Sequence, residues 1–387
     1  MADDDHRRHF PSEDRLSSLP DELLHVILLR LGSTCAAART SVLSRRWRHL
    51  WADVPEIVLV RGPDAPPDSF HDVVDATLDA HAASTLERLL ICVSDASESI
   101  TSGRAAPWLR IAAERVAGAL LLLVPPRLSS LPPVAVQELE LPACVRAKTI
   151  TFKLQDIWLL RPAPAGGVFT ALTALTILYG RMEGSELTAL VSTRCPCLKD
   201  VRLRLTLVDA SDVSIRYDTL RSLWFCVNSP LIEVVAPTLE KLCVYYAFKA
   251  HFSVPMLSEL VWIGDYANDS HQFVNVSRSL QLLHIRRDQR WAPTSLLEKF
   301  SQVDELNLII CIPRVRWYQQ NLLKTNRISY DPVLYFTLFL LMGHDREQQA
   351  NKLSVTNQIH AKRYLSPMCS AGGNNKASAS CFSEMAG

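Results

Sequence analysis

Two groups of side chains in this sequence have types and spacing that could support chemistry. Cys195 and Cys197 flank a single proline, and two thiolates so close together could supply half of a tetrahedral zinc site. A basic cluster, RRWRH at 45–49, could contact phosphate groups or act as a nuclear import signal. A tetrahedral site needs four ligands, and no second cysteine pair has ligand spacing, so the sequence predicts no metal site.

The basic cluster is better interpreted as a solvated helix face. Its arginines are interleaved with Trp47 and Trp51, and arginine stems can cover apolar surface while the charged heads stay in water. The whole chain has 41 Lys+Arg against 40 Asp+Glu, a formal net charge of +1. Charge-driven binding to nucleic acid needs a basic excess, so the prediction is no nucleic-acid partner, and such a protein stays the weaker alternative.

Enzymatic motifs are absent from the sequence. It contains no GxGxxG, P-loop, HExxH or GxSxG pattern, so nucleotide, zinc-protease and hydrolase chemistry have no support. Carboxylates are numerous, but no pair can be assigned to acid and base roles without geometry. The sequence therefore predicts a non-enzyme with no cofactor and no catalytic residues.

Composition indicates a folded protein with a sizeable core. Hydrophobic residues make up 48% and charged residues 21% of the 387 positions, which is wrong for a disordered chain. The ten cysteines are scattered, which favours reduced thiols over a disulfide scaffold. The charged start, MADDDHRRHF, predicts no secretory signal, and no apolar run reaches the ~20 residues that span a bilayer. We expect a location in the nucleus or cytoplasm and no membrane contact.

Residues 14–54 carry the signals of three helices. Pro20 fits a first helical turn, and a leucine-rich stripe recurs at helical spacing up to a C-capping Gly32. An alanine-rich helix follows at 35–42, and Ser44 is expected to cap a third helix. Three short helices bury little surface alone, so this unit is expected to need a partner surface.

The middle of the chain repeats an apolar-x-x-apolar-x-apolar pattern, with 18 to 26 residues between successive starts. Leucine-rich repeats use ~20–29 residues per unit, so most of the steps fit and two are short. In such repeats the apolar residues of a short strand point into a stacked core and the residues between them point outward. The repeats are Leu172/Leu175/Ile177, Leu198/Val201/Leu203, Leu220/Leu223/Phe225, Leu239/Leu242/Val244, Leu257/Leu260/Trp262, Leu280/Leu283/Ile285 and Val303/Leu306/Leu308.

These patterns divide the chain into five parts. We predict a disordered start at 1–13, the helical unit at 14–54, a linker and helix at 55–85, irregular repeats at 86–313, and an atypical tail at 314–387 that is disordered from about 366. Weaker repeat matches around Leu86 and Ala147 set the start of the array. The tail lacks the repeat pattern, so we expect it to leave the last repeats uncapped.

The helical unit resembles an F-box, through LPDELLxxILxRL and TSVLSRRWRHLW. Residues 14 to about 313 resemble plant F-box/leucine-rich-repeat (LRR) proteins of the grass type that usually also carries an FBD region. The resemblance implies an α/β fold, a three-helix F-box followed by an irregular LRR solenoid. It also implies docking to a Skp-type adaptor and, through it, to a cullin. The implied adaptor-binding residues, some of which must instead be the motif's own core, are Leu19, Pro20, Leu23, Leu24, Ile27, Leu28, Val42, Leu43, Ser44, Trp47 and Trp51.

The outward positions of the repeats predict a surface for a protein substrate. Tryptophan, tyrosine and arginine are the side chains that anchor interfaces, and Trp224 and Tyr245 fall on neighbouring predicted strands. A one-residue slip in register would turn them inward, and Trp224 could instead pack on a neighbouring loop. The candidate substrate-binding residues are Arg202, Arg204, Trp224, Tyr245, His284 and Arg286. The expected function is that of a substrate receptor in a ubiquitin ligase; the alternative is an LRR scaffold without ligase activity.

Overall fold

The computed structural model describes residues 19–61, 70–93, 100–125, 135–163, 167–287, 294–312 and 334–341. The predictions of disorder at 1–13 and from 366, and most of the tail, lie outside these residues. Among the described helices, none is both long and apolar enough to cross a bilayer.

The helices are short, and most lie in the first third of the chain. They are α1 Asp21–Arg30, α2 Thr34–Arg39, α3 Trp47–Leu50, α4 Phe70–Ala80, α5 Ser102–Arg115, α6 Gly184–Ala189 and α7 Thr294–Lys299. Single 3₁₀ turns at Thr40–Val42 and Trp51–Asp53 follow α2 and α3. The third helix therefore begins at Trp47, and the predicted cap at Ser44 is wrong: Arg46 precedes the helix and no side chain caps it.

The strands occupy most of the remaining chain. They are β1 Glu56–Val60, β2 Leu86–Cys92, β3 Val116–Leu123, β4 Gln137–Leu141, β5 Thr149–Lys153, β6 Trp158–Pro162, β7 Ala174–Met182, β8 Asp200–Leu207, β9 Val213–Arg216, β10 Ser222–Val227, β11 Leu231–Val235, β12 Lys241–Tyr245, β13 Lys249–Ser253, β14 Glu259–Ile263, β15 His271–Val274, β16 Ser279–Arg287, β17 Gln302–Ile312 and β18 Leu334–Leu341.

Most of the described strands form one large sheet. Its order is β1-β2-β3-β5-β7-β8-β10-β12-β14-β16-β17-β18, with β4 and β6 attached beside β7, which makes 14 strands. The pairings are parallel until the last, where β18 runs antiparallel to β17. A second, four-stranded parallel sheet, β15-β13-β11-β9, was not foreseen from the sequence. The observed architecture is the expected one, a helical N-terminal unit followed by a strand-rich parallel solenoid.

The core lies between the large sheet and the elements packed on one of its faces. All the apolar residues of the seven predicted repeats are buried, at 9% exposure or less, so the predicted register is confirmed. Trp262 of β14 meets Phe252 of β13 and Phe273 of β15 across this core, with ring centroids 6.3 Å apart in both pairs. Trp108 and Leu109 of α5 are buried in the same core. The other face of the large sheet carries the residues that alternate with the core residues, and we call it the open face.

Two sheet edges differ from the sequence prediction. β1 pairs with β2, so the sheet begins at Glu56, inside the segment expected to be a linker and helix. At the far edge, β18 pairs with β17 over Leu334–Leu341, so the last repeat strand is followed by a further strand rather than left bare. The apolar run that forms β18 had no repeat period and carried no strand signal of its own.

Hydroxyl groups connect successive repeats where the sequence lacks the asparagine typical of LRR units. Thr173, Thr219, Thr238 and Ser258 each donate a side-chain hydrogen bond to a carbonyl of the preceding repeat, at 2.7 to 3.1 Å. These bonds satisfy carbonyls at the ends of the strands and help to hold the stacking order.

Candidate functional site

The N-terminal helices have a small core of their own. Its buried members are Leu24, Leu28, Ala37, Trp47, Leu50 and Val54. Leu24, Leu28 and Trp47 had been predicted to bind an adaptor, but they are at most 3% exposed. These three are therefore the members of the predicted set that form the motif's own core, because a unit this small must use its i,i+4 leucine pair and its tryptophan to hold its own helices together.

Four other predicted contact residues lie at the margin of that core. Leu19, Ile27 and Trp51 are half-buried and pack against it. Ser44 is half-buried as well. Such residues offer only part of their surface to a partner.

The remaining predicted contact residues are exposed. Val42 is 87% and Leu43 61% exposed in the turn after α2, and Leu23 is 49% exposed on α1. Pro20 is exposed at the start of α1. Apolar side chains so exposed on a small folded unit indicate an interaction surface.

Two further exposed apolar residues, Val26 on α1 and Leu31 directly after its end, were not chosen from the sequence. Val26 is 45% and Leu31 44% exposed. The helical period could have identified Val26, since it follows Leu23 by three positions and both fall on the side of α1 opposite the buried Leu24 and Leu28.

An ion pair brings the exposed segments together. The Nε of Arg46 donates to Oδ1 of Asp21 at 2.9 Å, and a second guanidinium nitrogen contacts the same oxygen. Asp21 begins α1, so the pair ties the segment that follows the turn with Val42 and Leu43 to the start of α1. We call Pro20, Leu23, Val26, Val42 and Leu43 the helical face. One member of the basic cluster thus has a structural role.

The helical unit is fastened to the edge of the large sheet. Oγ1 of Thr34 accepts a hydrogen bond of 2.7 Å from the backbone N–H of Val58, which lies on the edge strand β1. The backbone N–H groups of Ala82 and Ala83 both donate to the carbonyl of Ala52. A strand edge covered in this way cannot pair with another chain.

His81 lies at the same junction. Its ring is 6.4 Å from that of Trp51, and its Nδ1 accepts from the Arg115 guanidinium at 3.1 Å. Arg115 also donates to the backbone carbonyls of Leu78 and Ala83. Burial, reinforced by the charge of Arg115, lowers the pKa of His81 to about 4, so this imidazole is neutral at pH 7.

On the open face, strand pairing arranges outward side chains in rows that cross the strands. The lower row contains Thr149, Ala174, Asp200, Ser222, Lys241, Glu259, Leu282 and Glu305. The middle row contains Thr151, Thr176, Arg202, Trp224, Cys243, Val261, His284 and Asn307. The upper row contains Lys153, Leu178, Arg204, Cys226, Tyr245, Ile263, Arg286 and Ile309. All six predicted substrate-binding residues therefore lie in the middle and upper rows.

Trp224 and Tyr245 form an aromatic pair on this face. Their ring centroids are 5.0 Å apart with the planes tilted by 58°, and both side chains are half-buried. Cys243 lies directly beside Trp224 in the middle row, and burial raises the pKa of its thiol to about 12. The thiol is therefore protonated and inert, and it serves as apolar surface beneath the rings.

Arg204 is held over the ring of Tyr179, with its guanidinium carbon 5.0 Å from the ring centroid. Tyr179 has a φ of +67° and the following Gly180 a φ of +80°, and the register of β7 shifts between Leu178 and Arg181. This bulge turns Tyr179 towards Arg204, because an extra residue re-aims the side chain of the bulged strand.

The aromatic pair opens into a groove at the upper row. Tyr179, Arg204, Cys226, Tyr245, Tyr246 and Phe248 are among the residues that line an open cavity of about 410 Å³. Tyr246 is 55% and Phe248 69% exposed. Sequence reasoning missed Tyr179, Tyr246 and Phe248; the YG pair at 179–180 and the YYAF run at 245–248 were the available signals.

His284 and Arg286 lie four strands from Arg202 and Arg204 in the sheet order, beyond the aromatic pair. Both side chains are half-buried. Burial, together with the charge of Arg286, lowers the pKa of His284, so its ring is neutral at pH 7 and can donate one hydrogen bond.

The two thiols of the cysteine pair lie in different surroundings. Cys195 is buried and Cys197 exposed. Burial raises the pKa of Cys195 to about 12, so this thiol is protonated at pH 7. Among the residues that the structure describes, no cluster of three potential metal ligands occurs.

Comparison with protein families matches two parts of the chain. Residues 16–58 match the F-box domain. Residues 105–274 match the model described as "FBD-associated F-box protein At5g56370, LRR repeats". The F-box and the FBD-associated LRR character expected from the sequence are confirmed, whereas the grass-type detail stays a prediction.

Individual relatives show the same combination at modest identity. The probable FBD-associated F-box protein At1g32375 of Arabidopsis thaliana is 28% identical over 54% of this chain and 49% of its own length. The meiotic F-box protein MOF of Oryza sativa subsp. japonica is 36% identical over 42% of this chain and 36% of its own. F-box/LRR-repeat protein 25 of A. thaliana is 36% identical over 23% of this chain and 32% of its own. This chain thus spans less than half the length of these relatives. No solved structure matches it.

Proposed function

We propose that this chain is the substrate-recognition subunit of a Skp–cullin–F-box ubiquitin ligase. The F-box region docks a Skp-type adaptor through the helical face, and the open face of the sheet binds a protein substrate. The chain holds the substrate near the ubiquitin-charged enzyme and does no bond chemistry itself, so its contribution is proximity. This function implies a location in the nucleus or cytoplasm, where the chain would bind the adaptor and the cullin.

The exposure of Val42 and Leu43 carries this proposal. Side chains 87% and 61% exposed are costly to leave in water, and neither belongs to the core of the helical unit. The F-box match and the F-box relatives support an adaptor as the partner that covers them. Burying two such side chains is worth roughly 3 kcal/mol or more, enough for a hundredfold change in affinity.

The test is a pulldown of the full-length chain with a plant Skp-type adaptor. The adaptor-face variant is Val42→Asp with Leu43→Asp. The matched control is Val145→Asp with Met256→Asp, two residues that are 47% and 63% exposed in loops outside the N-terminal helical unit. The full chain is used because β1, which holds Thr34, belongs to the sheet, so residues 1–60 alone would lose that support.

We expect the adaptor to bind the wild type and the control, and to lose affinity for the adaptor-face variant by about a hundredfold. Failure of a soluble wild-type chain to bind, or equal binding by both double variants, would overturn the proposal. Adaptor binding without ubiquitin transfer to any captured partner would instead favour the alternative, an LRR scaffold without ligase activity.

A further inference from the structure

The rows of the open face separate charge by sign. From β5 to β17, the described middle and upper rows contain Lys153, Arg202, Arg204 and Arg286, and no carboxylate. The lower row contains Asp200, Glu259 and Glu305 against a single lysine. That lysine, Lys241, is paired with Glu259 at 2.8 Å. In a chain with a net charge of only +1, this separation is a local feature of one face.

We propose that the open face binds an extended peptide segment rich in Asp and Glu, with an apolar side chain seated on Trp224 and Tyr245. The inference deepens the proposed function and rests on it, because it names the class of substrate that the receptor takes. The segment crosses the strands along the middle and upper rows. The acidic lower row repels the segment and so keeps it over the middle and upper rows.

Geometry sets the spacing of charges that such a segment needs. Adjacent strands are about 4.8 Å apart, so Arg202 and Arg204 on β8 are about 19 Å from Arg286 on β16. An extended peptide advances about 3.3 Å per residue, so acidic residues about six positions apart reach both clusters. Trp224 and Tyr245 lie one and two strands from β8, which places the apolar side chain two or three positions after the first acidic residue.

The arrangement of the cations favours carboxylates over phosphate groups. A phosphate is held where several donors converge on one point, whereas these cations are spread over strands β5 to β16. Nucleic acid fits this face less well than an acidic peptide does. The middle and lower rows are only about 7 Å apart, so the second strand of a duplex would lie over the acidic lower row, which would repel its phosphates. Among the described residues that line the groove, Asp156 is the single carboxylate, and it lies in the loop after β5.

The experiment is a selection from a random display library of peptides of about twelve residues, with the full-length chain as bait. A second bait carries Arg202→Glu and Arg204→Glu. A matched control carries Arg110→Glu and Lys299→Glu, two exposed cations on α5 and α7. A milder variant, Arg202→Gln with Arg204→Gln, keeps the test informative where the double reversal does not fold.

We expect the wild type to enrich peptides with Asp or Glu about six positions apart around an apolar residue. The affinity of an enriched peptide should fall more than about tenfold with Arg202→Glu and Arg204→Glu, stay within about twofold in the control, and weaken as salt rises. Neutral or basic enriched peptides, no enrichment above an empty support, or equal binding by both double variants would overturn the inference. So would displacement of the peptide by single-stranded nucleic acid at lower concentration.

This test is separable from that of the proposed function. Arg202→Glu with Arg204→Glu lies in the sheet and leaves the helical face intact, so this variant should still bind the adaptor. If this variant no longer binds acidic peptides but still binds the adaptor, the result concerns the open face alone. If the wild-type chain binds acidic peptides but does not bind the adaptor, the result concerns the proposed function alone.

Discussion

In the repeat sheet, the apolar residues of all seven repeats are at 9% exposure or less, whereas Leu23, Leu31 and Leu43 of the equally leucine-rich helical unit are 44% to 61% exposed. The difference follows from stacking. Each repeat strand has neighbours on both sides that extend one continuous core, while the helical unit has only a single small cluster and the edge of the sheet. In the proposed function, exposed apolar surface is the partner site on the helices, whereas the polar and aromatic open face is the partner site on the sheet.

The first prediction uses the same substitution in the two cores. Trp47→Ala and Trp262→Ala each remove a buried tryptophan and should each cost about 3–5 kcal/mol. We expect Trp262→Ala to lower the melting temperature of the solenoid, because Trp262 packs against both sheets. We expect Trp47→Ala to unfold only the helical unit and to abolish adaptor binding, because the two buried cores share no member. Hydrogen exchange with mass spectrometry resolves the two regions.

An equal loss of protection against hydrogen exchange in the sheet for both tryptophan variants would contradict the expected difference between the helical unit and the repeat sheet. It would mean that the helical unit and the solenoid unfold as one cooperative body, and that exposure on the helices is not a property of an independent unit. Binding of acidic peptides to the Trp47→Ala chain provides a second check, since the open face should be retained.

The second prediction concerns pH at the junction between the two regions. His81 has a folded-state pKa of about 4, below the ~6.5 of the unfolded chain, so the unfolded state binds the extra proton. The stabilisation that neutral His81 provides is thus complete above about pH 6.5 and is lost as pH falls from 6.5 towards 4, by about 1–3 kcal/mol. His81→Gln should flatten the stability profile over this range, as followed by denaturant unfolding.

A control variant sharpens the pH experiment. His251 is an exposed histidine on β13, so His251→Gln should leave the profile unchanged. Unaltered pH dependence in His81→Gln would mean that other groups dominate acid destabilisation and that the junction is not its origin.

The third and smallest effect tests the fastening of the helical unit to the sheet edge. Thr34→Val keeps the shape of the side chain but removes the acceptor of the Val58 N–H, which should cost about 1–2 kcal/mol. We expect faster hydrogen exchange at the Val58 amide and little change in the repeats. Thr40→Val, which removes a hydroxyl that donates to the Ala37 carbonyl at 2.6 Å, is the control within the helices. Unchanged exchange at Val58 would show that the edge is protected without Thr34.

The sequence predicted the register of the repeat strands, that is, which residues face the core and which face outward. Side chains alternate along a strand, so the set Leu198, Val201 and Leu203 fixes Arg202 and Arg204 on the other face without knowledge of any neighbour. The first helix was equally predictable from Pro20, the leucine stripe and Gly32, whereas the start of the third helix was not. The second sheet was not, because strands such as β9 and β11 are four or five residues long and lie between repeats of stronger period.

The two candidate sites were also predictable only in part. The types of residue on the helical face and the open face were predictable, but the sequence could not separate core residues such as Leu24, Leu28 and Trp47 from the exposed members of the same set. Tyr179 was missed because its position depends on a backbone bulge rather than on period.

Local sequence thus determined the helices, the repeat strands and the side of each strand on which a residue lies, because helical and strand periods are short-range properties of the chain. Tertiary structure alone decided which leucines of the helical unit remain in water, how β1 closes the sheet edge against Thr34, and how side chains far apart in sequence align in rows. The reason is that Arg202 and Arg286 share no local pattern: their alignment is set by the hydrogen-bond register passed from strand to strand, and only the assembled sheet contains that register.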